Sequence, residues 1–399
     1  MGAFLDSVPV SAIIKIRDLM HTVKDPFRLD QGDVSFDAPA SVKQAMARAI
    51  TENKTHYLPT TGVPRLRELL AEKLRMANGI PIGSTDEVVP TNGGTHGIWA
   101  IMHALFEPGD EVIVSDPEWP ATMAIAIAAK ANPIGVPLYE ELGWRWDLDE
   151  LERAITPRTK AIYINSPNNP TGGVLTRSDL QRLAAIATER NLWVLSDEAY
   201  EHILYKGEHV SIASLPGMYE RTIPIYTFSK SYAMTGLRLG YFAIQDPSIR
   251  ARALKVVAYT TSNVNSVAQY GGIGALEGSQ DCISEFRAEL EARRDMFYAG
   301  LADVATGVLS GNPPDGAFYA FVKINPDWAP ETGTAPPSLS WAFAEHLIKH
   351  GRIGCVPGVD FGPSGEGFVR FAIGRERKEL EGALASMKTA LARVGHGVP

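Results

Sequence analysis

The chain has 399 residues, of which 45% are hydrophobic and 21% charged, a balance that suits a globular enzyme with a large core and is too long for one small domain. A net charge of -8 without any basic run argues against nucleic-acid binding, and no apolar stretch reaches the 18 residues of a membrane helix, because Lys130 and Pro133 interrupt the longest candidate. The start Met1-Gly2-Ala3-Phe4-Leu5-Asp6 lacks a signal-peptide pattern, and the two cysteines, Cys282 and Cys355, form neither a disulfide framework nor a zinc spacing, so a reducing cytoplasm is expected.

From about Glu87 to Gln245, strand-like runs alternate with amphipathic segments, which predicts an α/β fold with a mostly parallel sheet flanked by helices. The first run, Val88-Val89-Pro90-Thr91, enters Asn92-Gly93-Gly94-Thr95-His96-Gly97, after which Ile98, Ile101, Met102 and Leu105 follow at helical spacing. Glycines at such a turn let backbone N–H groups approach an anion at the positive end of a helix, so Gly94 and Thr95 are candidate phosphate contacts, although ordinary turns also use glycine pairs. The spacing is neither a dinucleotide fingerprint nor a P-loop. Strand Glu111–Val114 leads into Ser115-Asp116-Pro117-Glu118-Trp119-Pro120, where Trp119 can stack on a flat ring or simply pack.

Further along, Ile162-Tyr163-Ile164-Asn165 breaks at Ser166-Pro167-Asn168-Asn169-Pro170-Thr171-Gly172-Gly173, a tight loop in which Asn169 can donate to an anionic phenolic oxygen. The next strand, Leu192–Leu195, ends in Ser196-Asp197-Glu198-Ala199-Tyr200. An acid leaving a buried strand needs a donor or a cation, and a protonated pyridine nitrogen is one; capping a helix is the alternative for Asp197. Tyr200 is then a second donor to the phenolic oxygen. Finally Ile223–Tyr226 gives way to Thr227-Phe228-Ser229-Lys230, with Arg238 beyond. A lysine desolvated at a strand end falls below its usual pKa of about 10.4 and becomes an amine able to form a Schiff base. Hydroxyls at Thr227 and Ser229 and the cation at Arg238 suit a phosphate beside it, and amine plus phosphate cradle points to pyridoxal phosphate (PLP). Gly271-Gly272-Ile273-Gly274 falls where a helix is expected, Ser284–Leu301 reads as helical, and Asn325–Ser338, rich in Pro, Thr and Gly, reads as a loose loop.

Asn168-Asn169-Pro170-Thr171-Gly172, Asp197-Glu198-Ala199-Tyr200 and Ser229-Lys230 followed by Arg238, in this order, resemble the fold type I aminotransferases of class I/II, the family of aspartate and aromatic aminotransferases. The resemblance extends to Leu29-Asp30-Gln31-Gly32-Asp33, Tyr57-Leu58-Pro59-Thr60-Thr61-Gly62, Pro357–Gly362 and Gly365–Phe371, nearly the whole chain. It implies a large PLP-binding domain over 46–289 and a smaller α+β domain made of 1–45 and 290–399. Lys230 would link to PLP and carry the proton, Asp197 would meet the ring nitrogen, Asn169 and Tyr200 the phenolic oxygen, and Trp119 the ring face. Gly94, Thr95, Thr227 and Arg238 would hold the phosphate, and Arg370 would grip the substrate α-carboxylate, helped by Asn169 and Gly32. Tyr57 would reach the phosphate of a second subunit, which implies a homodimer with shared sites. The implied activity is ping-pong transfer of an amino group from an L-amino acid to a 2-oxo acid. A C–S or β-elimination lyase of the same fold is the alternative, and a PLP-fold regulator is disfavoured because 1–45 lacks the length and basic charge of a DNA-binding segment.

The chain departs from the family in three places. Gly32-Asp33-Val34 replaces Gly-Glu-Pro, Ala258 stands where some members place an arginine for a second carboxylate, and Thr95 stands where others place a lysine. A dicarboxylate substrate therefore has no support in the sequence.

Overall fold

The computed structural model describes residues 3–329 and 337–392, so residues 330–336 of the loop expected at Asn325–Ser338 lie outside the described residues. Its main sheet has eight strands in the spatial order Val88–Thr91, Gly240–Ala243, Thr222–Thr227, Trp193–Asp197, Thr159–Asn165, Glu111–Asp116, Asn132–Tyr139 and Arg145–Trp146. Most neighbours run parallel; Gly240–Ala243 lies antiparallel between its two partners, and the short edge strand Arg145–Trp146 is also antiparallel. The central strands are buried along almost their whole length, which is why they read in the sequence as continuous β-branched runs without alternation. Chain order reverses between the neighbours Glu111–Asp116 and Thr159–Asn165, and a crevice outside the strand ends at such a switch point is where open α/β sheets bind ligands.

Beside this sheet, Leu309–Ser310, Tyr319–Ile324, Phe368–Ala372 and Val356–Pro357 form an antiparallel sheet. Phe27–Arg28 pairs in parallel with Ile353–Gly354, so the two ends of the chain meet. Leu29, Phe297, Phe318, Phe343, Phe371 and Met387 share one core here, with the helices Asp281–Val304, Leu339–Gly351 and Arg377–Leu391 around it. The expected helix at Ser284–Leu301 is the body of Asp281–Val304. No described helix is long and apolar enough to cross a membrane.

The glycine-rich segment Gly271–Gly274 is helical, within Ser266–Glu277. A β-carbon on Gly274 would stand 2.5 Å from the Ser41 carbonyl oxygen and 2.6 Å from the Ala45 β-carbon, and one on Gly271 would stand 2.9 Å from Met46 Cγ. These glycines let the helix Ala40–Thr51 lie directly against their own helix, a tertiary requirement that helix propensity opposes by about 1 kcal/mol per glycine.

Candidate active site

A cavity of about 230 Å³ opens beside the ends of the central strands, lined by every expected site residue except Tyr57. Gly94 opens the helix Gly94–Leu105, and Gly93 before it has φ 81°, so the turn needs glycine and aims the first N–H groups of that helix at the cavity. A β-carbon on Gly93 would lie 2.6 Å from Arg238 Nη2, and one on Gly240 2.7 Å from Gly94 N, which shows how tightly the arginine and the returning strand pack on this turn. Thr227 Oγ1 donates to Ser229 Oγ at 2.8 Å and accepts from Ser229 N at 3.1 Å. Helix N-terminus, hydroxyls and the exposed Arg238 together form a cup for a dianion.

Lys230 is half-buried, and its Nζ donates to the Gly32 carbonyl oxygen. Burial above all, with Arg238 and Arg370 acting the same way against the pull of Asp33 and Asp197, lowers its pKa to about 8. A β-carbon at Gly32 would meet Tyr319 Oη at 2.5 Å, so only glycine brings this carbonyl to the lysine. Asp197 is 8% exposed; its Oδ2 accepts from Tyr163 Oη at 2.8 Å and its Oδ1 from Ala199 N at 3.1 Å. Burial raises its pKa to about 6 in spite of those two donors. No helix starts at Asp197, so the residue is not a helix cap.

Arg370 is 1% exposed yet makes no ion pair with a carboxylate among the described residues. Its Nη1 donates to Asn169 Oδ1 at 3.1 Å and its Nη2 to the Asp30 carbonyl oxygen at 2.7 Å, while Nε has no partner among the described residues. The rings of Tyr319 and Phe361 lie 4.6 Å and 5.0 Å from its guanidinium carbon. By taking the Asn169 oxygen, Arg370 turns the Asn169 amide so that its N–H₂ remains available as a donor. Tyr200 Oη shares a 2.7 Å hydrogen bond with Tyr319 Oη, and Trp119 packs on the core of the main sheet while also lining the cavity.

Tyr57 is 89% exposed and does not line this cavity. Conversely, Ile13, Ile98, Asn165, Ala199 and Tyr319 line it without having been singled out, and Tyr163 reaches Asp197 from below. Tyr319 and Tyr163 sit inside strands where they read as core, and Ile13 and Ile98 follow helical spacing; Asn165, a polar residue ending an apolar strand, carried the one local signal. Among the described residues the cations lining the cavity are Lys230, Arg238 and Arg370.

Residues 24–387 match the family "Aminotransferase class I and II". The chain belongs to this family. The aspartate aminotransferase of Pyrococcus abyssi is 37% identical over 98% of each chain, and aromatic-amino-acid aminotransferase 2 of Thermococcus litoralis is 36% identical over 97% of each. The solved aspartate aminotransferase of Thermus thermophilus with maleate superposes with a TM-score of 0.87 at 33% identity, covering 98% of this chain and 99% of that one. This aminotransferase is accordingly PLP-dependent, and elimination chemistry is not favoured. The residues present fit the cofactor: an anion cup, a buried acid short of a cation, and a lysine of lowered pKa share one cavity.

Proposed function

We propose that this cavity performs amino transfer with the residue roles that the resemblance implies. Lys230 would hold PLP through its amine and move the proton at the substrate α-carbon; Asp197 would serve the ring nitrogen, Asn169 and Tyr200 would donate to the phenolic oxygen, and Trp119 would pack against the ring. Gly94, Thr95, Thr227 and Arg238 hold the phosphate. When bound, PLP supplies the electron sink for the α-carbon, and the amino group passes from an L-amino acid to a 2-oxo acid in a ping-pong cycle.

The observation that carries this reading is Arg370. A guanidinium buried with no direct ion pair among the described residues, and only the more distant pull of Asp30 and Asp360, is costly, and an α-carboxylate arriving in a two-pronged grip would supply a direct counter-charge. Arg370→Lys keeps the charge and loses the fork, so KM for the amino acid should rise by about 10–100-fold, the loss of one charge-assisted hydrogen bond, with PLP binding close to that of the unaltered protein. Steady-state kinetics beside a PLP titration check this; a variant that loses PLP but keeps its KM would put Arg370 elsewhere in the site.

The division into a large unit over 46–289 and a small one from 1–45 and 290–399 is part of the same proposal. It is supported by the pairing of Phe27–Arg28 with Ile353–Gly354, and its boundaries fall within the helices Ala40–Thr51 and Asp281–Val304, which would join the two units. A cytoplasmic enzyme fits the free thiols of Cys282 and Cys355. A homodimer with shared sites is supported by two aromatic side chains left in water, Tyr57 at 89% and Tyr259 at 91% exposure, on segments tied together by Thr60 Oγ1 donating to the Ser262 carbonyl oxygen at 2.8 Å. Mixing Lys230→Ala with Tyr57→Phe subunits should then regenerate one intact site per heterodimer, about a quarter of full activity for an equal mixture. Confirmed subunit exchange with no gain over the separate variants would refute site sharing.

A further inference from the structure

Glu118 is fully buried and has no role in the chemistry outlined above. Its two carboxyl oxygens accept from three donors: Oε2 from Ser115 Oγ, and Oε1 from Trp119 N at 2.7 Å and Asn165 Nδ2 at 3.0 Å. The bond to Asn165 fixes the orientation of that amide, since the flipped form would set oxygen against oxygen. Asn165 Oδ1 is thereby turned away from Glu118, and it is buried without a partner among the described residues, on a residue that lines the cavity. A buried acceptor left in this state costs about 1–3 kcal/mol until a donor arrives.

Where that acceptor stands identifies the donor. Asn165 is the register partner of Asp197 on the neighbouring parallel strand, so both side chains leave the sheet on the same side, about 4.8 Å apart at the backbone. A ligand N–H directed at Asp197 therefore arrives beside Asn165 Oδ1 as well. We propose that Glu118 is a positioning residue: through the Asn165 amide it presents a second acceptor, next to Asp197, to the protonated ring nitrogen of PLP, and through the Trp119 N–H it holds the aromatic that flanks the ring. The inference rests on the reading of Asp197 as the partner of that nitrogen. Its chemistry is that of hydrogen-bond acceptance, so an uncharged acceptor of the same shape should serve nearly as well as the acid.

The test is a PLP titration of the ligand-free protein and of four variants, with the thermal midpoint of each ligand-free form measured alongside. In Glu118→Gln, the amide oxygen can still accept from Trp119 N and Asn165 Nδ2 while its N–H₂ donates to Ser115 Oγ, so PLP affinity should stay within about threefold. Asn165→Ala should weaken PLP by about tenfold, the loss of one hydrogen bond, and Glu118→Ala by at least as much, since it also frees Trp119. The double variant Glu118→Ala/Asn165→Ala should be no weaker than Glu118→Ala alone, because the oriented Asn165 acceptor is already lost there. A purely structural Glu118 would lower the thermal midpoint and leave the PLP dissociation constant unmoved. Should Glu118→Ala fail to fold, Asn165→Ala and Glu118→Gln decide by themselves. Unchanged PLP affinity in Asn165→Ala, a hundredfold additive loss in the double variant, or a tenfold loss in Glu118→Gln would each overturn the inference while leaving the cofactor reading intact. Failure of the unaltered protein to bind PLP would overturn both.

Discussion

Lys230→Ala is expected to lower turnover by about 10⁴-fold or more, because one change removes both the amine that anchors PLP and the group that moves the α-proton. Alanine also leaves the other contacts of the cavity in place, so the variant should fold and still bind PLP without a covalent link. The amine is suited to its task by burial, which brings its pKa to about 8, with the Arg238 and Arg370 cations pushing the same way. Only the neutral amine attacks a carbonyl, so the rate at which PLP links to the ligand-free protein should rise through about pH 8, where an ordinary lysine would give a rise near 10.4. Borohydride reduction followed by peptide mapping reads the site of linkage directly. A pyridoxyl group found on another lysine, or a linkage rate still climbing above pH 10, would remove Lys230 from this role.

Much of the site was legible because its parts stand at strand ends, where a glycine, an amide or an acid interrupts an apolar run and has no packing reason to be there. Asp197 ends and Lys230 follows a strand buried along almost its whole length, and the glycines at 93 and 94 mark the start of a helix. What the sequence hid is what tertiary contact creates. Tyr319 lies in the strand Tyr319–Ile324 and looks like core, yet its hydroxyl meets Tyr200 and limits residue 32 to glycine. Glu118 follows a Pro in a turn-like segment that gives no sign of burial, whereas the fold seals it completely. Gly240–Ala243 gives no sign of its antiparallel direction, because a buried strand has the same composition either way. Gly271–Gly274 weakens a helix in the sequence and becomes intelligible only with Ala40–Thr51 packed against it.

Asp197→Asn separates what this residue does for chemistry from what it costs the fold. In the ligand-free protein burial raises the carboxyl pKa from 3.8 to about 6, so the folded state holds a proton that the unfolded chain releases earlier. Stability attributable to this residue therefore falls as pH rises from about 4 to about 6, and the whole penalty is present at pH 7.5. Asparagine carries no charge and keeps its two neighbours satisfied, accepting from Ala199 N and donating to Tyr163 Oη once that hydroxyl turns. The ligand-free variant should accordingly melt no lower than the unaltered protein at pH 7.5. With PLP bound the balance inverts: a ring cation beside a buried carboxylate is a pair whose disruption costs about 3–5 kcal/mol, so the amino-donor half-reaction should slow by about 10²–10⁴-fold. Single-turnover absorbance of the bound cofactor measures that rate, and calorimetry measures the melting temperature. A half-reaction within tenfold of the unaltered rate would show that the ring nitrogen has another partner. A lower melting temperature would show that Asp197 supports the fold, and that its charge is not held in reserve for the cofactor.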